Sequence, residues 1–236
     1  MLNGRKRFIS RALVIALCAL SGVAAQESAR RAPSSAAPEE VITVAVARAR
    51  SAGAAVTVEG SVSVPSGAFK SGTSDEGFAL QDASGGLYVR TTANLGLRLG
   101  QRVRVSGLLA DSSGQLILVT GGARGVAALG ARGMKVHAEI APTGRINEAT
   151  EGRLVQVAGT ITKPVGNDLP YGYRVFIDDG SGEVQAFVYA SAGVDVSDLQ
   201  PGRRVSVTGF SGQYNDHYEI LPRFRSDIRR SRSRPR

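Results

Sequence analysis

Apolar residues recur at every second position in several short segments, and most of these segments occur twice. Val56-Thr-Val-Glu-Gly60-Ser-Val aligns with Val155-Gln-Val-Ala-Gly159-Thr-Ile. Each reads as a strand whose alternate Val residues face a core. Leu80-Gln-Asp82-Ala-Ser-Gly85-Gly-Leu87-Tyr-Val89 aligns with Ile177-Asp-Asp179-Gly-Ser-Gly182-Glu-Val184-Gln-Ala186, two strands joined by an Asp/Gly/Ser turn. Leu99-Gly-Gln-Arg-Val103-Arg-Val105-Ser-Gly107 aligns with Gln200-Pro-Gly202-Arg-Arg-Val205-Ser-Val207-Thr-Gly209. The three blocks keep their order, and their offsets of 99, 97 and 102 residues put the insertions between strands, where loops absorb them.

Each copy runs on into one more strand, Gln115 to Thr120 and Tyr218 to Leu221, through the turns Asp111 to Gly114 and Gly212 to Asp216. Five strands per copy, with Gly60, Gly107, Gly159 and Gly209 in mid-strand where a closed sheet must bend, predict an all-β chain. Its expected architecture is two tandem five-stranded Greek-key barrels of the OB type. Short helices over about Thr43 to Arg50 and Thr143 to Ala149 are expected ahead of the barrels, and Val126 to Leu129 is a candidate extra strand. The expected organisation is a first domain over residues 41–122, a bridge over 123–142, and a second domain over 143–228.

The ends of the chain differ from its middle. A basic start (Arg5, Lys6, Arg7, Arg11), an apolar run from Ala12 to Ala19 and a small-residue site Val23-Ala24-Ala25 predict a cleavable secretory signal over residues 1–25. Cleavage after Ala25 would remove the sole cysteine, Cys18, and deliver the chain to the periplasm or outside the cell. Residues 26–40 read as a flexible linker. The formal charge of +9 sits in the signal and in the Arg-rich end Arg229-Arg230-Ser-Arg232-Ser-Arg234-Pro-Arg236. What remains between them has as many bases as its 20 acids. Residues 229–236 are expected to be disordered, either as a sequence-blind anchor for polyanions or as a solvated end.

Taken together, the segments "VTVEGSV", "FALQDASGGLYV" and "LGQRVRVSG", with their second-copy counterparts, resemble the tandem OB-fold domains of secreted bacterial proteins. Such domains are often found beside extracellular nucleases and related hydrolases. The resemblance covers residues 43–228 and implies accessory modules of a nucleic-acid-binding kind, with no catalytic domain in this chain.

Chemistry is sparse. With two His (His137, His217) and no Cys after cleavage, zinc sites and Cys/His catalysis have no ligands to work with, and no cofactor is expected. The acidic run Asp178-Asp179-Gly-Ser-Gly-Glu183 lacks the spacing of a calcium loop and reads as a turn whose Asp caps backbone N–H groups. Side-chain parity points to a binding platform instead. If Val175, Ile177, Val184, Ala186 and Val188 face inward in the second copy, then Arg174, Phe176, Gln185, Phe187 and Tyr189 face outward. Tyr171 and Tyr173 on one side, and Tyr214, His217 and Tyr218 on the other, would be loop walls. Aromatic rings beside Arg suit stacking on single-stranded bases, and also the apolar faces of sugars. Outward rings can alternatively pack on the other domain. The first copy's equivalents are Ala79, Tyr88, Arg90 and Thr92, with one aromatic, so the second barrel is the expected binder and the first a scaffold. The leading expectation is a non-enzymatic protein that binds single-stranded nucleic acid. The rival is an envelope module for a protein partner or a glycan.

Overall fold

A computed structural model of the protein describes residues 40–68, 70, 76–130 and 135–230. The expected signal, almost all of the linker, and Arg232, Arg234 and Arg236 lie outside these residues.

The first half comprises β1 (Val41–Ile42), α1 (Val44–Arg48), β2 (Ala55–Val64), β3 (Phe78–Gln81), β4 (Gly86–Arg90), β5 (Arg102–Ser112), β6 (Gln115–Val119) and β7 (Val126–Gly130). Strands pair in the order β2-β3-β4-β6-β5, and the β2–β5 ladder closes five strands into a barrel. The second half comprises β8 (Glu139–Ile140), β9 (Leu154–Ile161), β10 (Gly166–Asp168), β11 (Gly172–Asp178), β12 (Val184–Tyr189), β13 (Arg204–Tyr214), β14 (His217–Leu221) and β15 (Ile228–Arg230). Its sheet repeats the order as β11-β12-β14-β13-β9, and Ile177 pairs back to Ile161 at the β11–β9 contact. The all-β architecture is therefore the one the periodicity predicts. The mid-strand glycines mark where backbones cross closely: a Cβ on Gly107 would lie 2.3 Å from the Val119 carbonyl oxygen, and one on Gly209 would lie 2.6 Å from that of Leu221.

The duplication extends beyond the blocks visible in the sequence. β7 adds to β5 as β15 adds to β13, and β1 adds to β2 as β8 adds to β9. Two expected boundaries move as a result. The bridge 123–142 is shared out, β7 joining the first barrel and β8 the second sheet. At the C-terminus, Arg229 and Arg230 belong to β15, where Arg230 donates to the Asp198 carboxylate at 2.7 Å.

The Asp/Gly/Ser turns have the same task in both halves. Asp82 accepts from the backbone N–H of Val44 at 2.9 Å while Ser84 accepts from Ala45 at 2.9 Å. Asp179 accepts from Thr143 N–H at 3.1 Å while Ser181 accepts from Gly144 at 2.9 Å. Each turn thus caps the segment entering its own sheet, as the turn reading of Asp179 predicted. The Ser181 hydroxyl and N–H, then Thr143, hold the Asp179 carboxyl well below the usual carboxylate range. What is capped differs between the halves. In the first it is α1, five residues long; in the second the expected helix over Thr143 to Ala149 is only a 3-10 turn, Thr143–Arg145. Gly144 weakens helix there, and Asn147 and Thr150 take up the amides of Ala149 and Asn147 that a helix needs. Among the described residues no helix is long and apolar enough to cross a membrane.

Among the described residues, apolar side chains form three clusters. One fills the first barrel around Phe78, Leu80 and Leu87, and one fills the second sheet around Val157, Ile177 and Val207. The third joins the halves: Val64, Ala79, Tyr88 and Ile117 meet Phe210 and Leu221. Polar groups reinforce this junction. The buried Arg223 guanidinium is held by Asp227 and donates to the Ser63 carbonyl at 2.7 Å. The buried Glu151 accepts from Arg48 at 3.0 Å and from Leu116 N–H at 3.2 Å. The halves also touch closely at Gly86 and Gly152, where a Cβ on Gly86 would stand 1.9 Å from the Gly152 carbonyl oxygen.

Gly86→Ala is expected to cost about 1–3 kcal/mol through overpacking of this backbone contact, lowering Tm in thermal unfolding by roughly 2–10 °C. Gly121→Ala, where a Cβ meets nothing within 4 Å, should stay within about 0.5 kcal/mol of the parent. An unchanged Tm for Gly86→Ala would show that the junction yields at no cost.

Candidate functional site

Alternation along β11 and β12 follows the expected parity. Val175, Ile177, Val184, Ala186 and Val188 are buried in the core of the second sheet, and the residues between them point the other way. Pointing outward does not mean facing open solvent. Phe187 and Tyr189, in edge contact at 5.1 Å between ring centroids, pack against the junction where Tyr88 meets Phe210 edge-on at 5.9 Å. The outer face of the second sheet is turned toward the outer face of the first barrel, and a cleft of about 600 Å³ lies between them.

The first barrel supplies Tyr88, Arg90, Ser112, Ser113, Gln115 and Ile117 to this cleft. The second sheet supplies Asp168, Tyr171, Arg174, Gln185, Phe187, Tyr189, Phe210, Gln213, Tyr214, His217, Glu219 and Leu221. Of the eight expected platform and wall residues, five come together here: Tyr171, Arg174, Phe187, Tyr189 and Tyr214. Tyr171 and Tyr214 are more than half exposed, the latter edge-on to His217. The Arg174 side chain lies over Gly166, its partner across β10 and β11, and no carboxylate pairs with it among the described residues.

The other three lie elsewhere, each for a plain reason. Tyr173 is a strand residue of β11 with the parity of Val175, so it packs on the second core and is not a loop wall. Tyr218 shares the parity of Ile220 on β14; it packs on the same core and donates its hydroxyl to Glu148 at 3.0 Å. Phe176 does point outward but does not line the cleft. Lys163 sits over its ring at 4.3 Å, held there by Glu183.

The first barrel is more than a scaffold for this cleft. Arg90 reaches it, donating to the Ser112 hydroxyl at 2.7 Å, and Gln115 lines it, while Ala79 and Tyr88 lie buried in the junction. The signal was present in the parity: Ala79 and Tyr88 are outward yet apolar or aromatic, and Ile117 continues the same face. An apolar outward face implies a cover. The tips of the two long hairpins also meet, Asn215 N–H donating to the Ser113 carbonyl at 2.6 Å and Gln213 N–H to the Gln115 side chain at 3.3 Å. The walls are thereby tied to one another.

Charge in the cleft is balanced, Arg90 and Arg174 against Asp168 and Glu219. Glu219 is buried, accepting from Gln185 Nε2 at 2.8 Å, with His217 Nε2 3.9 Å from the same oxygen. Burial pushes its carboxyl up from the ordinary value, against the opposing pull of Gln185 and His217. Among the described residues no three His, Cys, Asp or Glu side chains gather as a metal cage.

No protein-family model matches the chain, and no curated protein does. Among solved structures it is similar to a murine DNA-binding protein bound to double-stranded DNA (10% identity, TM-score 0.44, covering 76% of this chain and 98% of that one). It is similar also to the single-stranded DNA binding protein from Thermus aquaticus (14%, 0.28, 79% and 97%) and to a Replication Protein A heterotrimer bound to ssDNA (10%, 0.29, 83% and 70%).

The raised pKa of Glu219 has a definite consequence for stability. The fold favours the protonated group, so stability linked to it is full below the unfolded value of 4.5 and is lost as pH rises through the raised folded value. Glu219→Gln keeps an acceptor for Gln185 and carries no charge. It should match the parent Tm at about pH 4 and exceed it at about pH 8; equal shifts at both would refute the assignment.

Proposed function

We propose that this is an exported, non-enzymatic binding protein of two OB-type barrels, and that single-stranded nucleic acid lies in the cleft between them. The strand order supports the OB reading: in each half the first, second, third, fifth and fourth core strands are neighbours, and the first pairs again with the fourth. One observation carries the ligand reading. Tyr171 and Tyr214 stand exposed at the mouth of a cleft floored by Phe187 and Tyr189, with Arg174 beside them. Rings accept any base on their faces, and a guanidinium with no carboxylate partner among the described residues is suited to phosphate. Arg229 and the more distal Arg232, Arg234 and Arg236 would add sequence-blind phosphate contacts. Arg230 is committed to Asp198 and would not.

A glycan is the second reading, and the balanced charge of the cleft favours it. Tyrosine faces with Gln115, Gln185, Gln213 and two carboxylates offer stacking and hydroxyl-binding groups to a neutral sugar without a phosphate-attracting field.

Fluorescence anisotropy with labelled dT15 at low and moderate salt tests the nucleic-acid reading. Tyr171→Ala and Tyr214→Ala, which remove exposed rings and should leave Tm unaltered, are each expected to weaken binding by about 1–3 kcal/mol, roughly 5- to 150-fold. Removing residues 231–236 should flatten the log K against log[salt] slope by up to ~0.7 per Arg lost. Absence of binding at low salt, with a glycan-array signal abolished by Tyr214→Ala, would replace nucleic acid by sugar.

A further inference from the structure

The floor of the cleft has a chemical bias that the rings alone do not. Gln185 and Glu219 are register partners on the parallel strands β12 and β14, and both side chains point into the cleft. Because Gln185 Nε2 donates to Glu219 Oε2 at 2.8 Å, the orientations of both groups are set. The same Nε2 lies 3.4 Å from His217 Nε2, and His217 Nδ1 lies 3.5 Å from the Asp216 carboxylate. Glu219 Oε1 has no protein partner among the described residues. The floor therefore offers the second oxygen of the Glu219 carboxyl, a buried residue lining the cleft, as an acceptor.

Resting on the single-strand reading above, we propose that this floor selects guanine from a bound strand, with the Glu219 carboxylate taking the N1–H and N2–H donors of its Watson–Crick edge. Guanine is the base that offers two adjacent donors there. Thymine offers one between two carbonyl oxygens, adenine and cytosine one beside an acceptor nitrogen, and those acceptors face repulsion from the carboxylate. A base unstacked from its strand can reach the floor edge-first, since Phe187 lies two residues along the same face of β12 and Tyr214 stands edge-on to His217.

The probes are dT15 and its variants carrying a single central dG, dA, dC or deoxyinosine, the last being guanine without its N2 amine. The dG oligonucleotide should bind about tenfold tighter than the dA, dC and dT versions, with deoxyinosine losing most of that advantage. Glu219→Gln, which turns a donor toward the cleft, should bring the ratio of dG to dT affinity close to one. Equal affinity for all the oligonucleotides, or an advantage that deoxyinosine retains in full, overturns the guanine assignment and leaves the nucleic-acid reading standing. No binding by any of them overturns both. The base series on the unaltered protein decides the matter even where Glu219→Gln does not fold.

Discussion

The cleft exists because two sheets each carry an apolar outer face and bury it on the other. Val64, Ala79, Tyr88 and Ile117 on the first barrel, and Phe210 and Leu221 on the second sheet, would be exposed in either half alone. Together they remove from water a patch that neither half could leave in solution without inviting association. That burial fixes which surfaces confront one another, and Phe187 and Tyr189, half-buried at its margin, become the floor of the space that remains. The buried Arg223–Asp227 pair, reaching across to the Ser63 carbonyl, adds a directional lock to a contact that hydrophobic burial alone would leave free to slide.

Much of this was legible in the chain. Period-2 alternation, the repeated Asp-x-Ser-Gly turns and the mid-strand glycines specify strands, caps and close crossings through local rules, and those held. Parity assigned ten side chains of β11 and β12 to their correct sides. What parity cannot supply is what stands opposite. Phe187 and Phe176 have the same outward direction, yet one lies in the junction and the other under Lys163, because the first barrel covers only part of the face. Tyr173 and Tyr218 misled for a simpler reason: they sit one residue inside a strand, where the alternation had already turned them inward. Glu219 gave no signal either, since a single acidic residue in a short strand reads as solvated until the sheet beside it is known.

Two of the buried carboxylates, Glu151 and Glu219, answer to different constraints. Glu151 bridges Arg48 and the Leu116 amide, so one acid joins elements from both halves, and the cost of burying it is offset by contacts that hold the junction. Glu219 joins nothing across the junction. Its hydrogen bond is to Gln185 in its own sheet, and burial raises its pKa. A well-packed apolar residue at such a place is often neutral or stabilising relative to an ion, so folding alone gives little reason for a carboxylate at position 219. On the proposed reading, its place in the cleft does.

Rigidity bears on how such a site would work. Because the Ser113 and Asn215 hairpin tips are bonded to each other and the junction is packed, the walls are set before any ligand arrives, and little ordering has to accompany binding. Charge is distributed to match. The cleft is balanced, and the excess of positive charge lies in the chain ends; on the proposed reading, distal arginines would draw a polyanion without regard to sequence while the cleft would discriminate among what is drawn. A strongly basic cleft would have blurred that distinction, since phosphate attraction at the recognition floor would hold right and wrong bases alike. On the proposed reading, a near-neutral floor would make stacking and edge complementarity the larger share of the differential energy, and differential energy is what selectivity is made of.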